Sequence, residues 1–383
     1  MTNAVLVEAL RTPIGRAGDK GVFRQTRADE MAAAALKSLV ARTQVPPAEI
    51  EDVLLGCATQ AGEQGLNLAR NVVLLAGLPE EVAGQTINRL CASSLQAVMS
   101  AAQAIMTGCG EVMIAGGVES MTHLPMGKDA DVGPLLRLLD PTALIMGQTA
   151  EAVARKYGIT RQEQDAFALE SHRRAVAAQA EGRFQDEIFP LPGLDLAGSP
   201  ITVTQDQGPR PDTSLEKLAS LTPSFAADGT VTAGNSSGLN DGAAAILVTS
   251  DQKARQLGFA PIARVVSMAV VGVSPAYMGI GPVPATRKAL ARASLSLGDL
   301  DLVELNEAFA AQACYCIREL GLDPAKVNVN GGAVALGHPL GCSGARITTT
   351  LIHEMRRRGA RYGLATMCVG LGQGAAVVFE NCS

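Results

Sequence analysis

The cysteine at position 91 has the surroundings of a reactive thiol. Three small residues follow it, and from Leu95 to Met106 apolar residues recur at the spacing of a helix face. The run closes at Thr107-Gly108, a suitable helix C-cap. Cys91 is therefore predicted at or near a helix N-terminus, where unpaired N–H groups lower the pKa of a thiol from ~8.5 to ~3.5–7.5. The alternative is a buried structural cysteine on an alanine-rich core helix.

Polar groups in the second half of the chain are the other candidates for chemistry. Asn306 and Glu307 follow a predicted strand, at the end where open α/β sheets bind ligands. His338 lies in a glycine-rich loop whose backbone can approach another group closely, and Cys368 precedes a glycine-packed turn. Each of these residues has an alternative interpretation. Glu307 is either a general base or an acid that starts a helix, and His338 is either a site residue or a histidine of a surface loop. Cys368 is either a thiol of the site or a thiol of the core.

A competing motif lies at Gly234–Gly238, which fits Gly-x-Ser-x-Gly with Ser236 in the centre. This is the nucleophile elbow of serine hydrolases, which needs a strand before it and a helix after it. Here a strand-like run follows, so a hydrolase at Ser236 is a distant alternative. Gly370–Gly374 does not complete Gly-x-Gly-x-x-Gly, which argues against a dinucleotide site.

Composition limits the class of protein. The 383 residues are 47% hydrophobic with 40 glycines, enough for a large core in about two or three domains. Net charge is −5 and no basic run is longer than Arg356–Arg358, so nucleic acid is not an expected partner. Eight cysteines without Cys-x-x-Cys or a secretory leader predict free thiols, no metal site and a cytoplasmic location. No apolar run approaches the ~20 residues of a membrane span, and no peroxisomal signal is seen.

Strands and helices alternate before residue 119, which predicts a mostly parallel sheet covered on both faces. Residues 119–239 carry many prolines and charges and are predicted to form an excursion over the core. The predicted helices are Ala28–Val40, Asn67–Leu75, the one after Cys91, and about 161–182. The predicted strands are Ala4–Val7, Val53–Leu55, Val112–Ala115, Ala243–Val248, Ile262–Val271, Leu302–Leu305 and Leu364–Cys368.

The pattern of the first part recurs in residues 263–383. A glycine closes a helix 17 residues after Cys91, and another does so 17 residues after Cys342. The strand-end residues Gly56 and Asn306 precede these two cysteines by 35 and 36 residues. Such agreement predicts one duplicated α/β unit.

Four segments together resemble the signature segments of the thiolase family: Asn88–Leu95, Asn306–Phe309, Gly331–Arg346 and Cys368–Gly370. Their order and spacing are similar too, over essentially the whole chain. The resemblance implies an α/β fold of two duplicated βαβαβαββ halves, each with a five-stranded sheet, in a five-layer αβαβα arrangement. The implied domains are an N-terminal half (1–118 and 240–262), a CoA-binding loop domain (119–239) and a C-terminal half (263–383).

The resemblance also implies reversible Claisen chemistry and a role for each site residue. Cys91 would be the nucleophile that takes the acyl group, and His338 would accept its proton. Cys368 would protonate the departing acetyl-CoA carbanion and deprotonate incoming CoA. Asn306 would hold a water that forms one oxyanion hole with His338, and the N–H groups of Cys91 and Gly370 would form the other. These parts match what cleavage of a C–C bond beside a thioester requires.

Coenzyme A contacts are implied as well. By resemblance, Arg210 would lie against the adenine and Ser237 would contact the pantetheine, while Met146, Met278 and Phe309 would line the thioester end. For the two methionines, core packing is the alternative. The few basic residues suggest that the CoA phosphates stay largely in solvent. No permanently bound cofactor is expected, because CoA and acyl-CoA are substrates.

Two departures favour the degradative type of thiolase, which cleaves 3-ketoacyl-CoA with CoA in bacterial fatty-acid β-oxidation. Ile145 stands where acetoacetyl-CoA-type members usually have histidine, and the stretch from Met121 to Met146 is shorter than theirs. The expected assembly is a homodimer, with docking to a hydratase/dehydrogenase subunit. The alternatives are an acetoacetyl-CoA thiolase that condenses two acetyl-CoA, the hydrolase at Ser236, and a non-catalytic scaffold that binds acyl-CoA.

Overall fold

A computed structural model describes residues 2–383. The strands are β1 (Ala4–Arg11), β2 (Gly15–Arg16), β3 (Asp52–Gly56), β4 (Ala83–Ile87), β5 (Val112–Ser120), β6 (Leu191–Leu194), β7 (Pro200–Val203), β8 (Asn240–Ser250), β9 (Ala263–Gly272), β10 (Leu302–Leu305), β11 (Tyr362–Val369) and β12 (Gln373–Asn381). The α-helices are α1 (Ala28–Thr43), α2 (Leu68–Leu75), α3 (Ser93–Met106), α4 (Met146–Tyr157), α5 (Arg161–Ala180), α6 (Leu215–Ala219), α7 (Asp251–Gln256), α8 (Pro282–Ala293), α9 (Ala310–Leu320), α10 (Ala333–Leu336) and α11 (Leu340–Arg358). Every helix and strand predicted from periodicity is present in the structure, and most of them are longer than predicted.

The first half orders its strands β4-β3-β5-β8-β1. β3, β4 and β5 are parallel, whereas β8 is antiparallel to both β5 and β1. The predicted mostly parallel sheet is therefore mixed, because β8 follows a long insertion and returns beside β5 in the opposite direction. β5 also continues past its predicted end to Ser120, since Gly116 lets the β8 backbone at Ala244 approach where a Cβ would overlap it.

The second half repeats this order as β10-β11-β12-β9. β11 is parallel to β10, and β12 is antiparallel to both of its neighbours. A single parallel bridge between Val303 and Val327 stands beside β10 where β4 stands beside β3. The predicted duplication is confirmed, although the fifth strand of the second half is reduced to this bridge. Strand β1 also pairs with β9, at Val5–Arg264 and Leu6–Ala263, so the two halves form one continuous ten-stranded sheet.

The five-layer arrangement is confirmed by the three large apolar clusters. The central cluster contains residues of α3 and α11 together with Ile246 of β8 and Val377 of β12. Their neighbours point the other way: Leu247 joins the cluster with α1 and α2, and Val378 joins the cluster with α8 and α9. This alternation is the period of two that a strand imposes. Helices α3 and α11 therefore form the middle layer.

Glycines allow helix α3 to pack closely against helix α11 and against strand β3. A Cβ at Gly344 of α11 would overlap the backbone of Leu95 in α3, and one at Gly56 would overlap the backbone of Ser94. Such contacts explain why a chain rich in glycine and lacking tryptophan packs this core.

The insertion between β5 and β8 packs on both halves. Leu191 of β6 and Val203 of β7 join the apolar cluster that contains α1 and α2. Helix α4 packs against α9, and α5 packs against α9 and α10. Strands β11 and β12, in contrast, are joined directly by the turn at 370–372. Among residues 2–383, no helix combines the length and the apolar character that crossing a membrane would need.

Candidate active site

Cys91 lies two residues before α3, in a turn held by its neighbours. Leu90 has a φ of +47°, which is uncommon for a residue other than glycine and stores strain. The Ser93 hydroxyl donates to the Leu90 carbonyl at 2.6 Å and accepts from the Arg89 N–H at 3.0 Å. These bonds maintain the strained turn and place the thiol just outside the helix N-terminus.

The surroundings of Cys91 raise its pKa. Burial is the largest cause, and the Glu119 carboxyl adds to it, while the backbone N–H groups of Gly370 and of Cys91 itself act in the opposite direction. The expectation of a lowered pKa is therefore wrong in this state, because only 9% of the side chain is exposed and loss of water outweighs the helix terminus. A thiol in this position needs a base to remove its proton.

His338 is a neutral base with a defined tautomer. Its Nδ1 lies 2.5 Å from Ser343 Oγ, and that hydroxyl donates to the Pro339 carbonyl at 2.8 Å. Nδ1 must therefore carry the ring proton, which leaves the Nε2 lone pair free to accept one. Burial and the nearby Arg346 lower the pKa of His338 to about 3, so the imidazole is neutral at physiological pH. Asn306 Nδ2 lies 3.4 Å from Nε2.

We expect Ser343→Ala to lower kcat by roughly 10–100-fold, because it leaves the Nδ1–H without an acceptor at a cost of about 1–3 kcal/mol. The opposite tautomer, which cannot accept a proton at Nε2, then competes. Ser343→Thr keeps the hydroxyl and should recover most of the activity. Ser267→Ala is the matched control, since it also removes a buried hydroxyl that donates to a carbonyl, on β9. Steady-state kinetics on the three variants would disprove this role if Ser343→Ala behaved like Ser267→Ala.

Asn306 completes the polar side of the site. Its backbone N–H donates to the Thr366 carbonyl at 3.0 Å, which holds the residue at the carboxyl end of β10. The side chain is fully buried, and its Oδ1 has no hydrogen-bond partner among residues 2–383. One amide thus offers a donor beside His338 and a free acceptor, which suits a polar group brought by a substrate or a water.

Cys368 and Gly370 come from the end of β11 and the turn that follows. Cys368 is 1% exposed, and burial and the neighbouring Cys91 both raise its pKa, so it is a thiol at rest and able to donate a proton. A Cβ at Gly370 would lie 3.1 Å from Leu90 Cδ1 and 3.6 Å from Met146 Sδ. Glycine therefore lets this N–H reach Cys91, and Met146 borders the same point.

Gly117 of β5 shows how the two halves meet at the site. A Cβ there would overlap both the carbonyl of Gly341 and the Cβ of Ser94. These residues stand three positions after His338 and Cys91, respectively. The histidine loop of the second half and the cysteine turn of the first half therefore converge on one glycine. The structure brings the predicted residues of both halves to a single buried place.

Two buried carboxylates support the site in ways that the sequence analysis missed. Glu119 accepts hydrogen bonds from the N–H groups of Ala58, Thr59 and Gly341 and from Gln64 Nε2, at 2.8–3.0 Å. It thereby joins the cysteine half to the first turn of α11. An acid at the end of an otherwise buried strand was the available signal, since such a charge requires partners.

Glu307 is the second of these carboxylates, and it is neither a surface acid nor a free base. It accepts from Ser171 Oγ at 2.7 Å, Asn328 Nδ2 at 2.8 Å and the Val334 N–H at 3.1 Å. Helix α9 begins only at Ala310, so the expectation of a helix-starting acid is wrong. Glu307 connects α5 to the loop that carries the histidine.

A cavity of about 380 Å³ lies between the insertion and the histidine loop. Arg210 and Ser236 border it, and Ser236 Oγ donates to the Thr232 carbonyl at 2.7 Å. Ser237 instead directs its N–H and its hydroxyl to the Ala308 carbonyl, both at 3.0 Å, and so positions the segment after Asn306. Its contact with pantetheine stays a prediction, as does the adenine contact of Arg210.

The aromatic and thioether residues predicted for the thioester end are placed differently from one another. Phe309 packs edge-to-face with Phe225 at 6.1 Å between ring centroids. Met146 is half-buried near Gly370, whereas Met278 is 2% exposed within the apolar cluster of the second half. Met278 therefore has the surroundings of a core residue, and its contact with substrate stays a prediction.

Comparison with known proteins agrees with this geometry. The family model described as the thiolase N-terminal domain matches residues 4–252, and that of the thiolase C-terminal domain matches residues 259–381. The chain belongs to the thiolase family. The 3-ketoacyl-CoA thiolases of Shewanella frigidimarina, Aliivibrio fischeri and Vibrio vulnificus are 55%, 54% and 53% identical to this thiolase, each alignment covering 100% of both chains.

A solved structure resembles this thiolase closely as well. The acetyl-CoA acetyltransferase of Bacillus anthracis has a TM-score of 0.92 and 45% sequence identity, covering 100% of this chain and 99% of its own. The hydrolase alternative at Ser236 is wrong for this thiolase, because β8 follows the motif where a nucleophile elbow needs a helix.

Proposed function

We propose that this thiolase cleaves 3-ketoacyl-CoA with CoA, giving acetyl-CoA and an acyl-CoA shortened by two carbons. The observation that carries the proposal is a pair of buried thiols from different halves, one of them facing the Gly370 N–H, in a site that includes a neutral histidine base. The full-length relatives at 53–55% identity are named for this reaction.

In the first half-reaction, His338 Nε2 accepts the Cys91 proton while Sγ attacks the 3-keto carbon. The keto oxygen becomes an oxyanion that accepts hydrogen bonds from the N–H groups of Cys91 and Gly370. Breaking the adjacent C–C bond leaves the acyl group on Cys91 as a thioester. The negative charge of the departing acetyl-CoA carbanion is delocalised onto its thioester oxygen. Protonated His338 and a water bound to Asn306 donate hydrogen bonds to that oxygen, and the Cys368 thiol protonates the carbanion carbon.

In the second half-reaction, the Cys368 thiolate accepts the proton of an incoming CoA thiol. The CoA sulfur attacks the acyl carbon, and the same N–H pair holds the second oxyanion. Cys91 then leaves and recovers its proton from His338, which returns every group to its starting state. Separate proton carriers for the two sulfurs explain why one site needs two cysteines and a histidine.

A chain-length series tests the degradative assignment. Acetyl-CoA release is measured with CoA and 3-ketoacyl-CoA substrates of four to sixteen carbons, and we expect turnover well beyond the four-carbon substrate. If only acetoacetyl-CoA reacts, the degradative assignment is wrong and the acetoacetyl-CoA type replaces it. If no 3-ketoacyl-CoA reacts while acyl-CoA still binds, the non-catalytic scaffold replaces both.

We also propose a cytoplasmic homodimer. Strand β4 ends the sheet, and its five residues include no charged residue and no proline that would protect the free edge. Beside it, Leu74 and Leu75 of α2 are about half exposed and Leu66 is 91% exposed. All eight cysteines are free thiols, which suits a reducing compartment. Sedimentation should give twice the chain mass, and the mass of a single chain would contradict the dimer. Docking to a hydratase/dehydrogenase subunit stays a prediction.

A further inference from the structure

The oxyanion hole of the proposed reaction takes its two donors from different halves of the chain. The Cys91 N–H lies just before α3, and the Gly370 N–H lies in the turn between β11 and β12. A backbone donor stabilises an oxyanion only when it lies within about 2.7–3.1 Å of that oxygen. Because the two turns are far apart in the chain, the distance between these donors depends on contacts between the halves.

The Arg89 side chain makes such a contact. Its Nη1 donates to Gln373 Oε1 at 3.0 Å, and its Nε donates to Gln96 Oε1 of α3 at 2.8 Å. One guanidinium therefore links the helix that follows the nucleophile to the first residue of β12. A guanidinium is planar and its donors form a rigid fork, so the two bonds fix the direction of the link as well as its length.

Both ends of this link lie beside the oxyanion donors. Arg89 stands two residues before Cys91, and its carbonyl accepts a hydrogen bond from the third residue after it, which closes the turn around Cys91. Gln373 is paired with Val369 across the hairpin of β11 and β12, and its Nε2 lies 3.5 Å from the Gly370 carbonyl. The guanidinium thus connects the base of the cysteine turn to the base of the Gly370 turn.

The cysteine turn keeps its own shape through groups other than the guanidinium. The backbone N–H of Arg89 donates to Ser93 Oγ, and its carbonyl closes the turn, so both bonds survive replacement of the side chain. The side chain is also only partly buried, and its removal leaves no closed cavity. The link between the turns can therefore be removed without removing the bonds that hold the nucleophile.

We propose that the contact between Arg89 and Gln373 is a positioning device, which holds the Gly370 N–H at hydrogen-bonding distance from the oxyanion that forms beside Cys91. The two residues act through the turns that they connect and not through contact with the substrate. A misplacement of about 1 Å at a reacting group can cost about 10²-fold in rate, so a contact of this kind matters for catalysis. The proposal rests on the proposed function, because it assigns residues to the oxyanion hole of that reaction.

The test compares two reactions of Cys91 in wild type, Arg89→Ala and Gln373→Ala. Acylation by acetyl-CoA passes through an oxyanion and should slow roughly 10–100-fold in both variants. Alkylation by iodoacetamide displaces iodide from carbon without forming an oxyanion, so its rate should stay close to that of wild type. In turnover of 3-ketoacyl-CoA, kcat should fall while KM changes little, since the lost interaction belongs to the transition state.

A double-mutant cycle tests whether Arg89 and Gln373 act as a pair. If they position the same donor, the variant that lacks both side chains should be no slower than the slower single variant. Arg89→Lys keeps a charged donor and should recover part of the rate. Arg264→Ala is the matched control, because it removes an arginine of β9 that bonds to Glu380, near the opposite end of β12.

Several outcomes would overturn the proposal. Equal slowing of acylation and alkylation would assign Arg89 to the shape of the cysteine turn, and additive losses in the double variant would show that the two residues act separately. Unchanged acylation in both single variants, or the same loss in Arg264→Ala, would also contradict it. Release of acetyl-CoA by wild type tests the thiolase reaction by itself, so the proposed function stands even if this pair has no role.

Discussion

Replacing Cys91 with alanine is expected to abolish both turnover of 3-ketoacyl-CoA and acylation of the protein by acetyl-CoA. The loss should be about 10⁴–10⁶-fold, the scale seen when a covalent nucleophile is removed. Mass spectrometry of the protein after incubation with acetyl-CoA measures the acylation directly. Wild type should gain one acetyl group at Cys91, and the variant should gain none.

Alkylation by iodoacetamide gives a second readout of the same residue. Because His338 can take the proton, Cys91 should react fastest of the eight cysteines and should be protected by acyl-CoA. Burial raises its pKa, so its rate should keep rising as pH rises through 9 and should show no plateau near neutral pH. Cys109→Ala and Cys382→Ala are the controls, since both remove exposed thiols and should leave the fast phase intact. Uniformly slow labelling of all eight would contradict a nucleophilic role.

Cys368→Ala is expected to block turnover while leaving acylation of Cys91 by acetyl-CoA detectable. Cys368 donates a proton to the carbanion carbon and later accepts a proton from the CoA thiol. Removing a group that transfers protons in this way lowers the rate by about 10²–10⁴-fold. Acylation of Cys91 needs only the nucleophile, its base and the N–H groups of Cys91 and Gly370. The two half-reactions should therefore separate in this variant.

A matched control for this variant lies in the same half. Cys316 is also buried, and its thiol faces the Gly279 carbonyl at 3.3 Å. Cys316→Ala should keep both turnover and acylation, which excludes loss of a buried thiol as the cause. If Cys368→Ala loses acylation as completely as Cys91→Ala, the separate roles of the two thiols are wrong.

Much of the fold and of the candidate site could be predicted from sequence because the relevant signals are local. The helix after Cys91 and its counterpart α11 are recognisable from apolar spacing and closing glycines, and the equal spacing of 17 residues from each cysteine to its closing glycine indicates the duplication. His338 and Cys368 were recognisable because glycines flank them where a strand or loop ends. The family resemblance then assigned a role to each. Local patterns of this kind depend only on neighbouring residues, so they can be recognised without knowledge of the fold.

Other properties depended on groups that are far apart in the chain. The sequence predicted a lowered pKa for Cys91 from the helix terminus, but burial between two halves reverses the direction. Glu119 and Glu307 join elements more than a hundred residues apart, at Gly341 and Ser171.

The sequence by itself thus predicted the candidate catalytic residues, the repeat that presents them, and the family. Only the tertiary structure decided their protonation states, the mixed strand directions, and the contact between Arg89 and Gln373 that joins the two halves. The physical reason is that desolvation and charge pairing depend on everything packed around a group. Periodicity and motif spacing report only the chain on either side of it.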